Sequence, residues 1–202
     1  MNAKNPRAGD NLEAHWDAEY VDGRWDFLDG LKEQARSGIL AAWLMQSGSL
    51  DHVLDVGCGE GLLHRFLQPY GMKRYSGVDV SGEALKRARA RLGNEVTLHQ
   101  AALEDFEAPS DERYSAIVFN EVLYFPEDPA AEVARYAAML SPGGVIAVSM
   151  YAPKRPESGA HRKIDATDKA MQAEPLERLD ALKLDSQMKT ATWWLFLSRL
   201  KV

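Results

Sequence analysis

The chain has 202 residues, with 24 lysines and arginines against 30 acidic residues, a net charge of −6 and a pI near 5.4. That balance provides no basic face of the kind phosphate backbones require, so nucleic acid is excluded as a partner and small neutral or cationic substrates are favoured. A single cysteine, Cys58, excludes an intrachain disulfide and fits a reducing, cytoplasmic setting, while the length suits one domain with a substantial core.

Residues 1–11 mix Pro, Gly, Asn and alternating charge, and read as a loose tail with no apolar core of signal-peptide type. Order is expected from Leu12, with residues 12–48 forming N-terminal cap helices. The stretch from His15 to Asp29 carries Trp16, Tyr20 and Trp25, whose rings would cap a ligand, hold a sugar face or staple the segment to the core. From Leu28 to Met45 the residues Leu31, Ala35, Ile39, Ala42 and Met45 recur at helical spacing, and the helix ends at Ser47-Gly48. The longest apolar stretch, Ile39 to Met45, is too short to span a bilayer, so no membrane partner is expected.

A core over residues 49–202 follows. Strands are expected near His52 to Val56, Arg74 to Asp79, Val96 to Gln100, Ser115 to Asn120 and Val145 to Tyr151, with helices at Leu62 to Gln68, Gly82 to Arg91 and Ala130 to Leu140. Alternation of this kind implies parallel pairing through right-handed crossovers, an α/β Rossmann-like three-layer sandwich with its switch point after the first strand. Basic residues gather at Lys86 to Arg91, where Arg87, Arg89 and Arg91 read as the wet face of a helix, and again at Lys154 to Lys163. Residues 152–175, with Pro153, Pro156 and Gly159, read as a long exposed, lid-like loop with room for one short helix. Trp193 to Leu197 is apolar on both alternating faces, as in a strand buried between neighbours, with Ala181 to Leu184 as its hairpin partner.

The chemistry concentrates at Val53-Leu-Asp-Val-Gly-Cys-Gly-Glu-Gly61, an apolar strand bearing Asp55 and running into Gly57, Gly59 and Gly61. Alternating glycines permit left-handed backbone and close approach of a ligand, and a following helix turns free N–H groups towards it. A dinucleotide fingerprint needs a glycine where Leu62 stands, and a Walker loop needs a lysine that is missing. A pyrophosphate would also sit against Asp55 and Glu60. A ligand with cationic groups and one carboxylate, such as S-adenosylmethionine, suits the loop better.

This loop resembles motif I of class I S-adenosylmethionine-dependent methyltransferases. Tyr75-Ser-Gly-Val-Asp-Val-Ser81 resembles the second motif, in which Asp79 would accept both ribose hydroxyls. Ile117 to Tyr124 and Leu140-Ser-Pro-Gly-Gly144 resemble strand four with its loop and the turn into strand five. The resemblance covers residues 50 to 150 and implies a seven-stranded, mostly parallel sheet whose last strand is antiparallel and inserts beside strand five. It implies S-adenosylmethionine as cofactor, held by Asp55, Gly57, Cys58, Gly59, Gly61, Asp79, Val80 and Asn120, with Cys58 serving as a small buried filler. Relatives often read adenine with an acid where Ala101 stands here, which leaves the main chain of Ala102 and Leu103, or Glu104, for that contact.

For catalysis, Glu121 at the end of strand four is the first general-base candidate. Tyr124 would line the acceptor pocket, and His161 in the expected lid is a further basic group. The histidines lack metal-ligand spacing, so no metal is assigned. The combination of Gly23-Arg-Trp-Asp26, Gly57-Cys-Gly-Glu-Gly61 and Phe119-Asn-Glu-Val-Leu-Tyr124 resembles a bacterial group that modifies carbohydrates, including nodulation-factor N-methyltransferases and enzymes of surface-polysaccharide pathways. That points to a small-molecule acceptor, a sugar or amino sugar methylated on a hydroxyl or amine. Other sulfonium-based transfer, a nicotinamide oxidoreductase or a non-catalytic S-adenosylmethionine-binding protein are the alternatives. Oligomeric state is left open.

Overall fold

The computed structural model describes residues 11–155, 158–187 and 191–202. Helix α1, Leu12–Val21, opens with Asn11 as its cap, whose side chain accepts from the Ala14 N–H at 3.1 Å. A short tight helix, Asp26–Asp29, leads into α2, Leu31–Gln46. The buried side of α2 is Glu33, Arg36, Ser37, Leu40, Ala41 and Leu44. The ends of the stripe expected from the sequence are turned away from the core, Leu31 being 85% exposed and Met45 39% exposed, while Ile39 at its middle packs against the core. The helical spacing holds and the buried face is rotated, because the first turns of α2 bury the polar pair Glu33 and Arg36.

Strands β1 (Val53–Val56), β2 (Tyr75–Asp79), β3 (Thr97–Gln100), β4 (Tyr114–Asn120), β5 (Leu140–Ala152), β6 (Leu176–Ser186) and β7 (Ala191–Leu200) form one sheet of order β3-β2-β1-β4-β5-β7-β6. β1 to β5 pair in parallel, and β7 runs antiparallel to both β5 and β6. The sequence order reverses across β1, between β2 and β4, so a crevice opens at the carboxyl ends of these strands. The hairpin is as expected, with Leu184 opposite Trp193 and Ala181 opposite Phe196.

Two apolar layers sandwich the sheet. On one face Leu54, Ile117, Phe119, Ile146, Val148 and Phe196 pack with Val133 and Tyr136 of α5 (Pro129–Ala137) and Ile164 of α6 (Gly159–Ala170). On the other, Val53, Val118, Ala147, Trp193 and Leu195 pack with Leu40 and Leu44 of α2. Two helices depart from expectation. After the glycine loop, α3 is one turn only, His64–Leu67, continued by a tight turn Gln68–Tyr70, so no long helix aims its amides at the loop. Within residues 152–175, α6 takes 12 residues, a longer element than the exposed loop expected, because Ile164 and Thr167 fall on one face and are buried. Glu157 and Pro156 lie outside the described residues.

Candidate active site

β1 delivers the glycine loop to the crevice. Gly57 has φ +69°, and a Cβ there would stand 2.6 Å from Val122 Cγ2, so the position admits only glycine without rearrangement. The Gly57 and Cys58 N–H groups both donate to the Val78 carbonyl, at 2.8 and 3.0 Å, which stitches the loop to β2. Cys58 is buried against Gly77, where a Cβ would come within 2.7 Å of its Sγ. Burial, with Asp79 and Asp55 nearby, pushes its thiol far up, so it is packing and no nucleophile.

Asp79 closes β2 with its carboxylate held by main chain: Oδ2 accepts from Gly59 N–H at 2.8 Å and Oδ1 from Ser81 N–H at 2.9 Å. Burial raises its pKa while these N–H donors and that of Val80 pull it down. Each oxygen keeps a further lone pair, the pattern a vicinal diol requires. Asp55 is 2% exposed and accepts from Tyr75 OH at 2.7 Å. Burial lifts it to about 7, against the opposing Tyr75 hydrogen bond. Beyond β3, the Leu103 carbonyl already accepts from Tyr136 OH at 2.8 Å and from Arg135, and the Ala102 carbonyl accepts from the amides of Asp105 and Phe106. Main-chain N–H groups of Ala102 and Leu103 are what this stretch has left for a ring nitrogen.

The end of β4 carries the second half. Glu121 sits at φ 66°, left-handed backbone that a non-glycine residue adopts at a cost and that clusters at functional sites. Its carboxylate meets Ser149 Oγ at 2.6 Å, Tyr124 OH at 3.1 Å, the Tyr151 N–H at 3.1 Å and Arg36 at 3.8 Å. Burial raises its pKa, opposed by Arg36, Ser149 and Tyr124. Burial also drives the Tyr124 phenol far up, aided by the Glu121 charge. Arg36 donates from Nε to Asn120 Oδ1 at 3.2 Å and from Nη1 to Glu33 Oε2 and to the Glu33 carbonyl at 2.9 Å.

A cavity of about 70 Å³ joins the two halves, lined by Tyr20, Trp25, Arg36, Asp55, the glycine loop, Asn120 and Glu121. The structure thus brings together Asp55, Gly57, Cys58, Gly59, Asn120 and Glu121 from the expected set, with Tyr124 bonded to Glu121 and Asp79 to Gly59. Gly61 is directed elsewhere, packed under Leu92. Val80 gives its carbonyl to Gln100 Nε2 at 3.4 Å. His161 is not brought in: it lies in the first turn of α6, and its Nε2 meets the Pro153 carbonyl at 2.7 Å, a contact that ties α6 to the end of β5. Among the described hydrogen bonds none joins it to Glu121 or Tyr124.

Arg36 is the functional residue that sequence reasoning missed. Its signal was the Glu33/Arg36 pair three residues apart on the stripe that continues as Leu40 and Leu44. Glu60 lines the cavity too, with its charge met by Arg87 at 3.0 Å and Arg91 at 3.1 Å. Those arginines are therefore no mere wet face: Arg87 also donates to the Tyr20 carbonyl at 2.7 Å, and Arg91 pairs with Asp29 at 3.3 Å, tying the cap to α4 (Gly82–Leu92). From α1, Asp17 accepts from Ser81 Oγ at 2.6 Å and the Glu83 N–H at 3.0 Å. Trp16 staples the cap, 5.8 Å from Trp25 and 4.8 Å from Phe125 between ring centroids, while Tyr20 and Trp25 also line the cavity.

The residues present fit S-adenosylmethionine by their chemistry: acceptors for a diol at Asp79, a carboxylate for an ammonium at Asp55, and a buried guanidinium for a carboxylate at Arg36. No helix of the described residues is long and apolar enough to cross a membrane.

Comparison with known proteins agrees. The family model described as a methyltransferase domain matches residues 27–199. A ubiquinone biosynthesis O-methyltransferase of Aromatoleum aromaticum is 34% identical over 109 residues, 52% of this chain and 46% of that protein. Its namesake in Serratia proteamaculans is 32% identical over 154 residues, 71% of this chain and 64% of that protein. The chain spans about half the length of the first of these relatives. In fold it is similar to the N-methyltransferase NodS from Bradyrhizobium japonicum WM9 in complex with S-adenosyl-L-homocysteine, with TM-score 0.76, 23% identity and 95% and 99% of the two chains covered. With the glycine loop, Asp79 and this match over most of its length, the chain belongs to the methyltransferase-domain family and carries the fold of its S-adenosylmethionine-dependent members.

Proposed function

We propose that this chain transfers the methyl group of S-adenosylmethionine to a hydroxyl of a small molecule, with Asp79, Asp55 and Arg36 holding the donor and Glu121 with Tyr124 serving the acceptor. The observation that carries this reading is the single cleft in which two buried carboxylates, a buried guanidinium and the glycine loop face one another across about 70 Å³. S-adenosylmethionine supplies an already activated methyl group, so the protein aligns the acceptor, excludes water and takes up a proton. Alignment alone supplies on the order of 7 kcal/mol or more.

A hydroxyl needs a base, and burial makes Glu121 a stronger one than an exposed glutamate. The curated relatives, named for O-methylation, support oxygen as the methylated atom. His161 takes no part in this proposal, its ring being held by Pro153. A sugar hydroxyl follows from the motif resemblance and a phenol is the other arm. An amino sugar amine would dispense with the base.

The test is incubation of the purified chain with S-adenosylmethionine and a panel of sugars, amino sugars, nucleotide sugars and phenols, reading acceptor-dependent formation of S-adenosylhomocysteine. Turnover with a hydroxyl acceptor that fails in Glu121→Gln is the expected result. Turnover confined to amines, or none with any acceptor, overturns it.

A further inference from the structure

Ser149 is fully buried in β5, and its hydroxyl meets two oxygens, Asn120 Oδ1 at 3.1 Å and Glu121 Oε1 at 2.6 Å. One hydroxyl carries one proton and donates to only one of them. Asn120 Oδ1 is fixed as an acceptor, because Arg36 Nε donates to it at 3.2 Å. On Glu121 the other oxygen, Oε2, already accepts from Tyr124 OH and the Tyr151 N–H, both at 3.1 Å. A proton on Glu121 therefore sits on Oε1 and points at Ser149 Oγ, whose own proton then goes to Asn120.

Charge points the same way. The groups facing Glu121 are Arg36 of α2, Ser149 and Tyr151 of β5, and Tyr124 of the loop after β4, and Arg36 is itself paired with the buried Glu33. Arg36 bonds Glu33 directly and stands 3.8 Å from Glu121, so its charge is shared between two buried carboxylates.

We propose that Ser149 is a positioning residue whose hydroxyl works as a two-way switch: it donates to Asn120 Oδ1 while Glu121 is neutral and to Glu121 Oε1 once Glu121 is ionised. Ionisation releases one proton from Oε1, and rotation of the serine hydroxyl supplies the hydrogen bond that the carboxylate then needs. Asn120 keeps its bond from Arg36 in both states. Ser149 in this way sets the pH at which Glu121 becomes a base, a role that rests on the reading of Glu121 as the acceptor-side carboxylate.

The test is infrared pH-difference spectroscopy of the purified chain with no donor added, so its readout does not depend on turnover. A neutral-carboxyl band that titrates in the wild type and is missing in Glu121→Gln identifies the group. Ser149→Ala raises the midpoint of that band by about one pH unit, because an ionised acceptor loses more than a neutral one when its donor is removed. Ser149→Thr, which retains the hydroxyl, keeps the midpoint. Circular dichroism checks folding, and Ser149→Cys, with its weaker donor, is read in the same direction where the alanine variant does not fold. An unmoved midpoint in Ser149→Ala, or no band lost in Glu121→Gln, overturns the switch. A shifted band without turnover on any acceptor leaves the switch standing and sinks the hydroxyl-methylation reading. Turnover whose pH profile ignores Ser149 does the reverse.

Discussion

The glycine-loop half of the cleft is made of main chain and two strand-end carboxylates, whereas the Glu121 half is made of side chains drawn from α2, β4, β5 and the loop after β4. In the first, Asp79 is fixed by the amides of Gly59 and Ser81, and the loop by the Val78 carbonyl. In the second, the side chains of Arg36, Ser149 and Tyr124 hold Glu121, and Asn120 accepts from both Arg36 and Ser149. A donor common to a whole family is met by backbone geometry that a short motif can encode. The Glu121 half is assembled from residues separated by up to 113 positions, Arg36 to Ser149, and is free to vary one side chain at a time.

The comparison breaks most sharply at Glu121. Glu121→Gln is expected to lower turnover on a hydroxyl acceptor by roughly a hundredfold or more while S-adenosylhomocysteine affinity stays near that of the wild type. Steady-state kinetics beside calorimetry measure the split, and a parallel fall in cofactor affinity would merge the two halves.

Gly57→Ala probes the first half through its backbone. The left-handed φ of +69° and the 2.6 Å approach to Val122 leave no room for the methyl. A loss of about 1–3 kcal/mol in unfolding free energy is expected, with weakened cofactor binding. Denaturant unfolding followed by tryptophan fluorescence reads it, and wild-type stability would show that the loop tolerates a side chain.

A smaller effect separates the halves by pH. Burial raises Asp55 to about 7 in the folded chain, against about 3.9 unfolded. Between these values the folded protein holds a proton that the unfolded chain has released, so this group's contribution to stability falls as pH rises from about 4 to 7 and is level above that. Asp55→Asn should flatten that part of the dependence of Tm on pH. An identical slope in the variant would assign the effect to other groups.

How much of this was legible follows the same division. The strand order, the switch point at β1, the buried hairpin strand Trp193 to Leu197 and the glycine loop with Asp79 all leave short-range signals: period-two apolar runs, glycines at alternate positions, an acid at a strand end. Ser149 leaves none of that kind, and Arg36 only its pairing with Glu33 three residues away. An arginine on an amphipathic helix normally marks the wet side, and α2 reverses this because its first turns bury the Glu33/Arg36 pair over the cleft. Ser149 interrupts an apolar strand, a buried hydroxyl whose partners Asn120 and Glu121 are supplied only by the β4–β5 register, in which Asn120 lies opposite Ser149. His161 was illegible for the complementary reason: the expected loop histidine lies in the first turn of a helix, and its ring meets the Pro153 carbonyl just after β5.

Asp79 is the proposed anchor of a ribose-bearing cofactor. Calorimetric titration of S-adenosylhomocysteine into the wild type and Asp79→Ala tests it most directly. Saturable one-to-one binding by the wild type, weakened at least tenfold in the variant through loss of a charged hydrogen-bond acceptor, is the expected result. Equal affinity of the two proteins, or no binding to the folded wild type, would contradict it.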